Sequence, residues 1–202
     1  MITVVPIVEG DGEVIALPIL LRRISDKLTP EISALISPPI RVQKDRFLNK
    51  PLEFRRHLLL AGAKAGGNGW ILILLDADDD CPVKRGAEIA SMASNILRHR
   101  SISVVMANRE YEAWFIAAAK SLDGHRNFIL QRNQIPADPD RPRNAKGWLA
   151  QQMGGRGYNE TTDQPAFSAR LNLDEAISSS RSFRKLCDEW SRQTVKFYAK
   201  PN

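Results

Sequence analysis

The sequence predicts an α/β fold: a parallel sheet flanked by helices, with a helical elaboration towards the C-terminus. Three observations lead there. Short apolar runs at Thr3–Val8, Trp70–Leu75 and Ile102–Met106 alternate with stretches of three- and four-residue apolar periodicity, and a repeated β-then-α order builds parallel sheets. Trp70–Leu75 is apolar at every position rather than at alternate ones, which marks a strand buried on both faces. Finally, 43% hydrophobic and 26% charged residues over 202 positions are an ordinary globular composition. A chain of this length buries roughly 70% of its unfolded surface and needs no disulfides to hold a core.

The elements follow in order. Thr3–Val8 is a β-rich run ending in Glu9-Gly10-Asp11-Gly12. Val14, Leu17, Leu21, Ile24 and Leu28 then recur at helical spacing, which predicts an amphipathic helix starting near Asp11. Pro30, Pro38 and Pro39 punctuate the next stretch, and Ile40–Gln43 reads as a short strand. Pro51 suits the first position of a helix running to about Lys64, where Gly66-Gly67 stop it. After the Trp70–Leu75 strand come a helix from about Val83 to His99, the Ile102–Met106 strand, and a helix from about Glu110 to Ser121. Residues 1–122 therefore read as the α/β core. In residues 123–202 a basic loop segment rich in proline and glycine holds one helix, Ala145–Met153. One or two further helices span about Leu173–Lys196, with Ala176, Ile177, Phe183, Leu186 and Trp190 as the buried set.

Composition narrows the function. Two cysteines, Cys81 and Cys187, are too few for a disulfide framework or a four-ligand zinc site. Three histidines argue against a transition-metal cluster. The longest apolar runs, Leu17–Leu21 and Ile71–Leu75, are too short to cross a bilayer, and no signal peptide is visible. A reduced, cytoplasmic protein with no membrane partner is the expectation. The net charge is +6, and 19 of the 29 basic residues are arginines, which suit bidentate phosphate contacts and point towards nucleic acid. Against that basic background, four of the 23 carboxylates fall within Asp76–Asp80.

Ligands of open parallel sheets collect at the C-terminal ends of the strands. Glu9 ends the first strand and Asp76 the Trp70–Leu75 strand, so both belong on that rim. If strand geometry persists, Asp76 and Asp78 share one side, about 7 Å apart. Glu13, four residues after Glu9, points to the same opening from the first turn of the helix. All-oxygen clusters of this kind suit Mg²⁺ or Mn²⁺. Each half has a duller account: acidic residues stabilise a helix N-terminus by about 0.3–1 kcal/mol, and Asp78-Asp79-Asp80 can be a solvated loop capping the next helix. At matching strand ends the two halves together would repel one another unless a cation intervened.

Val8-Glu9-Gly10 after one strand, with Asp76-Ala77-Asp78 after a later buried one, resembles the Toprim domain of topoisomerases, primases and OLD-type nucleases. Glu9 with Glu13 looks most like the OLD branch. Leu75–Cys81, Glu110–Trp114 and Arg181–Arg184 extend the resemblance over about the whole chain, to a family of small Toprim-like bacterial proteins of unknown function encoded beside AAA or ABC-type ATPases. It implies a Toprim-like (Rossmann-like) fold and a Mg²⁺-dependent nuclease acting on DNA or RNA. It also implies control by a partner ATPase and a place in phage defence. Carried over, Glu9 is a metal ligand or general acid/base, Asp76 and Asp78 are metal ligands, and Glu13 and Asp80 are candidates for a second metal. A basic residue near the scissile phosphate is also implied, for which Lys84 and Lys146 are candidates that no motif decides between.

Other residues admit two readings. Glu112 joins the acidic site or is an N-terminal helix charge, and Trp114 is better read as a core anchor. Arg181 and Arg184 contact phosphate or merely flank a helix capped by Ser180. Cys81 has no histidine beside it to make a nucleophile. Gly10-Asp11-Gly12 lacks the Gly-Lys-Ser/Thr ending of a P-loop. Arg126–Arg156 carries six basic residues against two acidic ones, so Arg141, Arg143 and Lys146 are expected on a phosphate-binding flap. The alternative to a nuclease is a non-catalytic Toprim-fold subunit that binds nucleic acid or regulates a partner.

Overall fold

The computed structural model describes residues 1–198. Strand β1 (Ile2–Val8) leads through Glu9 and Gly10 into helix α1 (Asp11–Leu28). Two short strands, β2 (Ala34–Ile36) and β3 (Ile40–Arg41), then lie end to end along one side of β1. Their break has a backbone cause. Val4 accepts from Ser37 N at 2.9 Å and Val8 from Val42 N at 2.8 Å, so Pro6 between them turns its missing donor towards the Pro38-Pro39 gap. That is where a central strand tolerates proline. The sequence does not predict β2, because three residues between prolines carry no readable period.

Helices α2 (Lys44–Asn49) and α3 (Pro51–Ala65) follow, and Gly66 closes α3 at φ +63°, a conformation that favours glycine. Then come β4 (Gly69–Asp76), α4 (Pro82–Ile96) and β5 (Ser101–Ala107). The sheet is parallel throughout, in the order β2-β1-β4-β5 with β3 beside β1. Central β4 is buried on both faces, as its apolar run requires. Trp70, Leu72 and Leu74 pack towards α1, while Ile71, Ile73 and Leu75 pack towards Phe54, Leu58 and Ile89 of α3 and α4.

Beyond β5 the expected helix from Glu110 to Ser121 is replaced by a short α5 (Ala113–Ala117) and a 3-10 turn at Ala119–Leu122. Ala118 leaves helical geometry at φ −122°, and Trp114, Phe115 and Ile116 are all buried. Enclosure, not an amphipathic stripe, shapes this segment. Helix α6 (Ala145–Gln152) lies where the sequence predicts a helix, at Ala145–Met153. Helix α7 (Glu160–Ser168) is not foreseen by the sequence, because Pro165 inside it reads as a breaker. The chain ends in α8 (Leu173–Ser179) and α9 (Arg181–Tyr198). Ser180 separates them and caps α9, its Oγ accepting from Phe183 N at 3.2 Å. The predicted C-terminal segment extends to residue 202, and 199–202 lie outside the described residues.

The C-terminal helices cover the α1 side of the sheet. Trp190 meets Trp70 edge-on at 5.9 Å and donates to Thr29 Oγ1 at 2.9 Å. Trp114, a core anchor as expected, meets Phe183 at 5.3 Å and donates to Ser182 Oγ at 2.9 Å. Both indole N–H groups are thus satisfied in the interior, where an orphan would be costly. Among the described residues no helix is long and apolar enough to cross a membrane.

Candidate functional site

The C-terminal ends of β1 and β4 open into a cleft of about 580 Å³ lined by Glu9, Glu13, Asp76, Asp78 and Lys146. The local sequence explains each position. Gly10 is the N-cap of α1, and Glu13 reaches back so that its Oε2 accepts the backbone N–H groups of Glu9 and Gly10, both at 3.1 Å. This one-sided cap, the glutamate half of a capping box, fixes a buried carboxylate beside the end of β1. Asp76 Oδ1 accepts from Tyr111 N at 2.8 Å, which ties the end of β4 to the segment after β5. The strand does not persist to Asp78, which sits at φ +50°, a left-handed conformation that Asp tolerates better than most residues. Asp76 and Asp78 are therefore not successive members of one strand face. Instead Asp78 turns out to an ion pair with Lys44, whose Nζ also donates to the Asp76 carbonyl at 2.6 Å.

Below the cleft lies Glu112, fully buried. Its Oε1 accepts from Tyr158 Oη and from Gln164 Nε2, each at 3.1 Å, and its Oε2 has no partner. Lys146 stands over this group, paired with Glu160 at 3.0 Å.

The electrostatics follow from burial and crowding. Desolvation pushes Asp76 well above the usual carboxylate range, and the neighbouring Glu13 and Glu112 charges push the same way. Glu13 and Glu9 are raised mainly by desolvation too, with Lys146 and Lys44 respectively opposing the rise. Glu112 is lifted to about 7, again chiefly by burial. Burial works against the Lys146 charge, but Glu112, Glu160 and Asp76 outweigh it and hold its ammonium protonated. The cleft is a set of carboxylates short of positive charge.

The remaining residues singled out in the sequence lie elsewhere or outside the cleft lining, and this bears on what each can do. Asp80 is exposed and faces Arg85 at 3.8 Å. Lys84 is exposed on the first turn of α4. Arg141 is exposed, and Arg143 pairs with Asp79 at 3.2 Å. Arg126 and Arg156, at the two ends of the expected flap, both hold the buried Asp163, at 2.7 and 2.8 Å. They anchor α7, although both side chains remain partly exposed. Arg181 and Arg184 line a separate groove beside β5.

Sequence reasoning missed Lys44, Tyr158 and Glu160. The last two arrive on or just before α7, which rests on the first turn of α1. Only glycine permits that approach: a Cβ on Gly12 would stand 2.6 Å from the Glu160 carbonyl oxygen and 2.2 Å from Gln164 Oε1. A signal was present, since Asn159 before Glu160 and Asp163 is a helix start, and Asn159 Oδ1 accepts from Thr162 N at 3.1 Å.

The profile of a domain of unknown function, DUF4276, matches residues 8–190. The chain belongs to this family. No curated protein and no solved structure matches it. The DUF4276 region takes in all of the cleft carboxylates, Lys44, Lys146 and α7, and it ends on Trp190, the residue that locks α9 to the sheet.

As a donor set the DUF4276 cleft offers carboxylate oxygens, the ligand type that hard divalent cations take. Its groups are carboxylate oxygens whose ionisation is suppressed by burial and mutual repulsion, and a buried Glu112 oxygen lacks a partner. Among the described residues no three acidic, histidine or cysteine side chains already converge closely enough to hold an ion. Lys44 and Lys146 meet part of the charge instead.

Proposed function

We propose that this protein is a Mg²⁺- or Mn²⁺-dependent phosphodiesterase that cuts DNA or RNA, with Glu9, Glu13, Asp76 and Asp78 as the metal-holding carboxylates. The placement of these four residues around one cleft, from two strand ends, a helix turn and the turn after β4, carries the reading. The bound metal would supply Lewis-acid polarisation of a phosphoryl oxygen and activation of the attacking water. The chain's own groups do the rest. Lys146, kept cationic by its acidic neighbours, binds a phosphate oxygen beside the carboxylates. Glu9, half-buried at the mouth with a raised affinity for protons, either completes the metal's ligands or takes up a proton from the nucleophile. Lys44 positions Asp78 and the end of β4. The Toprim-like assignment belongs to this proposal, as do a cytoplasmic setting, control by an AAA or ABC-type ATPase and a role in phage defence. The ATPase and the defence role rest on the sequence resemblance.

Isothermal calorimetry with MgCl₂ and MnCl₂ tests the metal site. Wild type should bind, and Asp78→Asn should weaken binding about tenfold or more. Absence of metal binding with retained affinity for nucleic acid in wild type itself would favour the other reading, a non-catalytic binding or regulatory subunit. The two lysines that already meet part of the acidic charge support that alternative.

Flanking phosphates need donors beyond the carboxylates, and Arg141 and Arg143 are two exposed cations of the basic segment. In the Arg141→Ala/Arg143→Ala double variant, affinity for nucleic acid should fall similarly across sequences. The log–log salt slope should flatten by about 0.7–0.9 for each phosphate no longer neutralised. An unchanged slope places the backbone elsewhere.

A further inference from the structure

The two edges of the sheet are treated differently. The β2/β3 edge is broken by Pro38-Pro39 and cannot template another strand. The β5 edge, Ser-Ile-Ser-Val-Val-Met-Ala, has no charge and no proline, so neither of those devices blunts it. Its peptide groups can be assigned from one bond. Ala77 N donates to the Ala107 carbonyl at 2.9 Å, so Ser101, Ser103, Val105 and Ala107 turn towards β4. By alternation Ile102, Val104 and Met106 turn their N–H and C=O groups to the open side. Among the described residues those outward groups have no hydrogen-bond partner.

A groove of about 820 Å³ runs along this edge. Its α4 wall is low, built from Gly86, Ala87 and Ala90, which leaves room for one more strand. Its α9 wall is cationic, with Arg181, Arg184, Lys185 and Arg192 against Asp188 and Glu189. Glu189 is taken up by Lys185 and Arg192. Among the described residues Arg181 and Arg184 form no ion pair within 4 Å, although Arg181 acts electrostatically on Asp140 and Arg184 donates to the Ile177 carbonyl at 2.8 Å.

We propose that this groove docks an extended, acidic segment of a partner protein, which adds to the sheet as a strand beside β5. Main-chain hydrogen bonds to Ile102, Val104 and Met106 supply the affinity, and Arg181 and Arg184 select carboxylate side chains. A second copy of this chain is the poorer occupant: antiparallel pairing of two β5 edges about a two-fold axis would set one cationic α9 wall against the other. The docking surface is separate from the carboxylate cleft and does not rest on the catalytic reading.

The probe is a ten-residue peptide alternating valine with glutamate, compared with its lysine-for-glutamate counterpart, with hydrogen exchange followed on the full chain. The glutamate peptide should bind at least about tenfold more tightly than the lysine peptide and protect the amides of Ile102, Val104 and Met106. Val104→Pro removes an outward N–H that no internal bond uses, so the fold should survive while peptide affinity drops about tenfold or more. Arg181→Glu with Arg184→Glu should reverse the charge preference. The proposal is overturned if the glutamate peptide does not bind, if both peptides bind alike, or if Val104→Pro changes nothing. It is overturned equally if the β5 amides are already protected in a dimer of the free protein.

Discussion

Asp76→Asn should lower metal-dependent cleavage of nucleic acid by about a hundredfold or more while leaving the melting temperature at pH 8 unchanged or higher. The two effects separate because Asp76 is poorly placed for stability as an anion. Burial and the charges of Glu13 and Glu112 hold its carboxyl well above the usual range, so an uncharged isostere relieves repulsion in the folded state. The hydrogen bond that orders the site is kept, since an Asn oxygen can still accept from Tyr111 N, now 2.8 Å from Asp76 Oδ1. A residue retained only for structure would give the opposite pattern, lower stability with whatever activity the folded fraction carries. Cleavage assayed with Mg²⁺ and Mn²⁺ alongside thermal melts decides it. Wild-type turnover in Asp76→Asn would remove the cleft from catalysis.

The carboxylate cleft was legible because its parts end strands, and strand ends are the most readable points of a parallel sheet. Glu9 and Asp76 each follow an apolar run, and the sheet order puts β1 beside β4, so their proximity follows from topology alone. What lay beyond reach came from packing. Tyr158 and Glu160 are far from the strands in sequence and enter only because α7 rests on Gly12. Lys44 begins a six-residue helix after a two-residue strand, too little chain for any period to register. The turn at Asp78 is a matter of φ, which alternation along a strand cannot reveal. The basic segment holds a contact hidden for a related reason. Counting arginines does not show that Arg126 and Arg156, though exposed, are also bound to a buried Asp163 that lies outside the counted segment.

Glu112→Gln should stabilise the metal-free protein at pH 8 and do little at pH 5. Burial lifts the Glu112 carboxyl from its ordinary 4.5 to about 7, so the folded state holds this proton more tightly than the unfolded chain does. The sign is that of a raised acid: its contribution to stability is full below about 4.5 and is lost as pH rises through about 7. That interval corresponds to about 3 kcal/mol, or about 5–10 °C in melting temperature for a chain of this size. Gln stays neutral throughout, and its side-chain oxygen can keep accepting from Tyr158 Oη and Gln164 Nε2 as Glu112 Oε1 does. Thermal melts of both proteins in EDTA from pH 5 to pH 8 should therefore diverge as pH rises, with the variant the more stable. Equal destabilisation at both ends would instead make Glu112 a charged structural partner of Lys146. The same charge feeds the cleft above it, since Glu112 acts electrostatically on both Asp76 and Lys146. Mg²⁺ affinity of the wild type should then strengthen as pH passes 7, and the share of that gain due to Glu112 should vanish in Glu112→Gln.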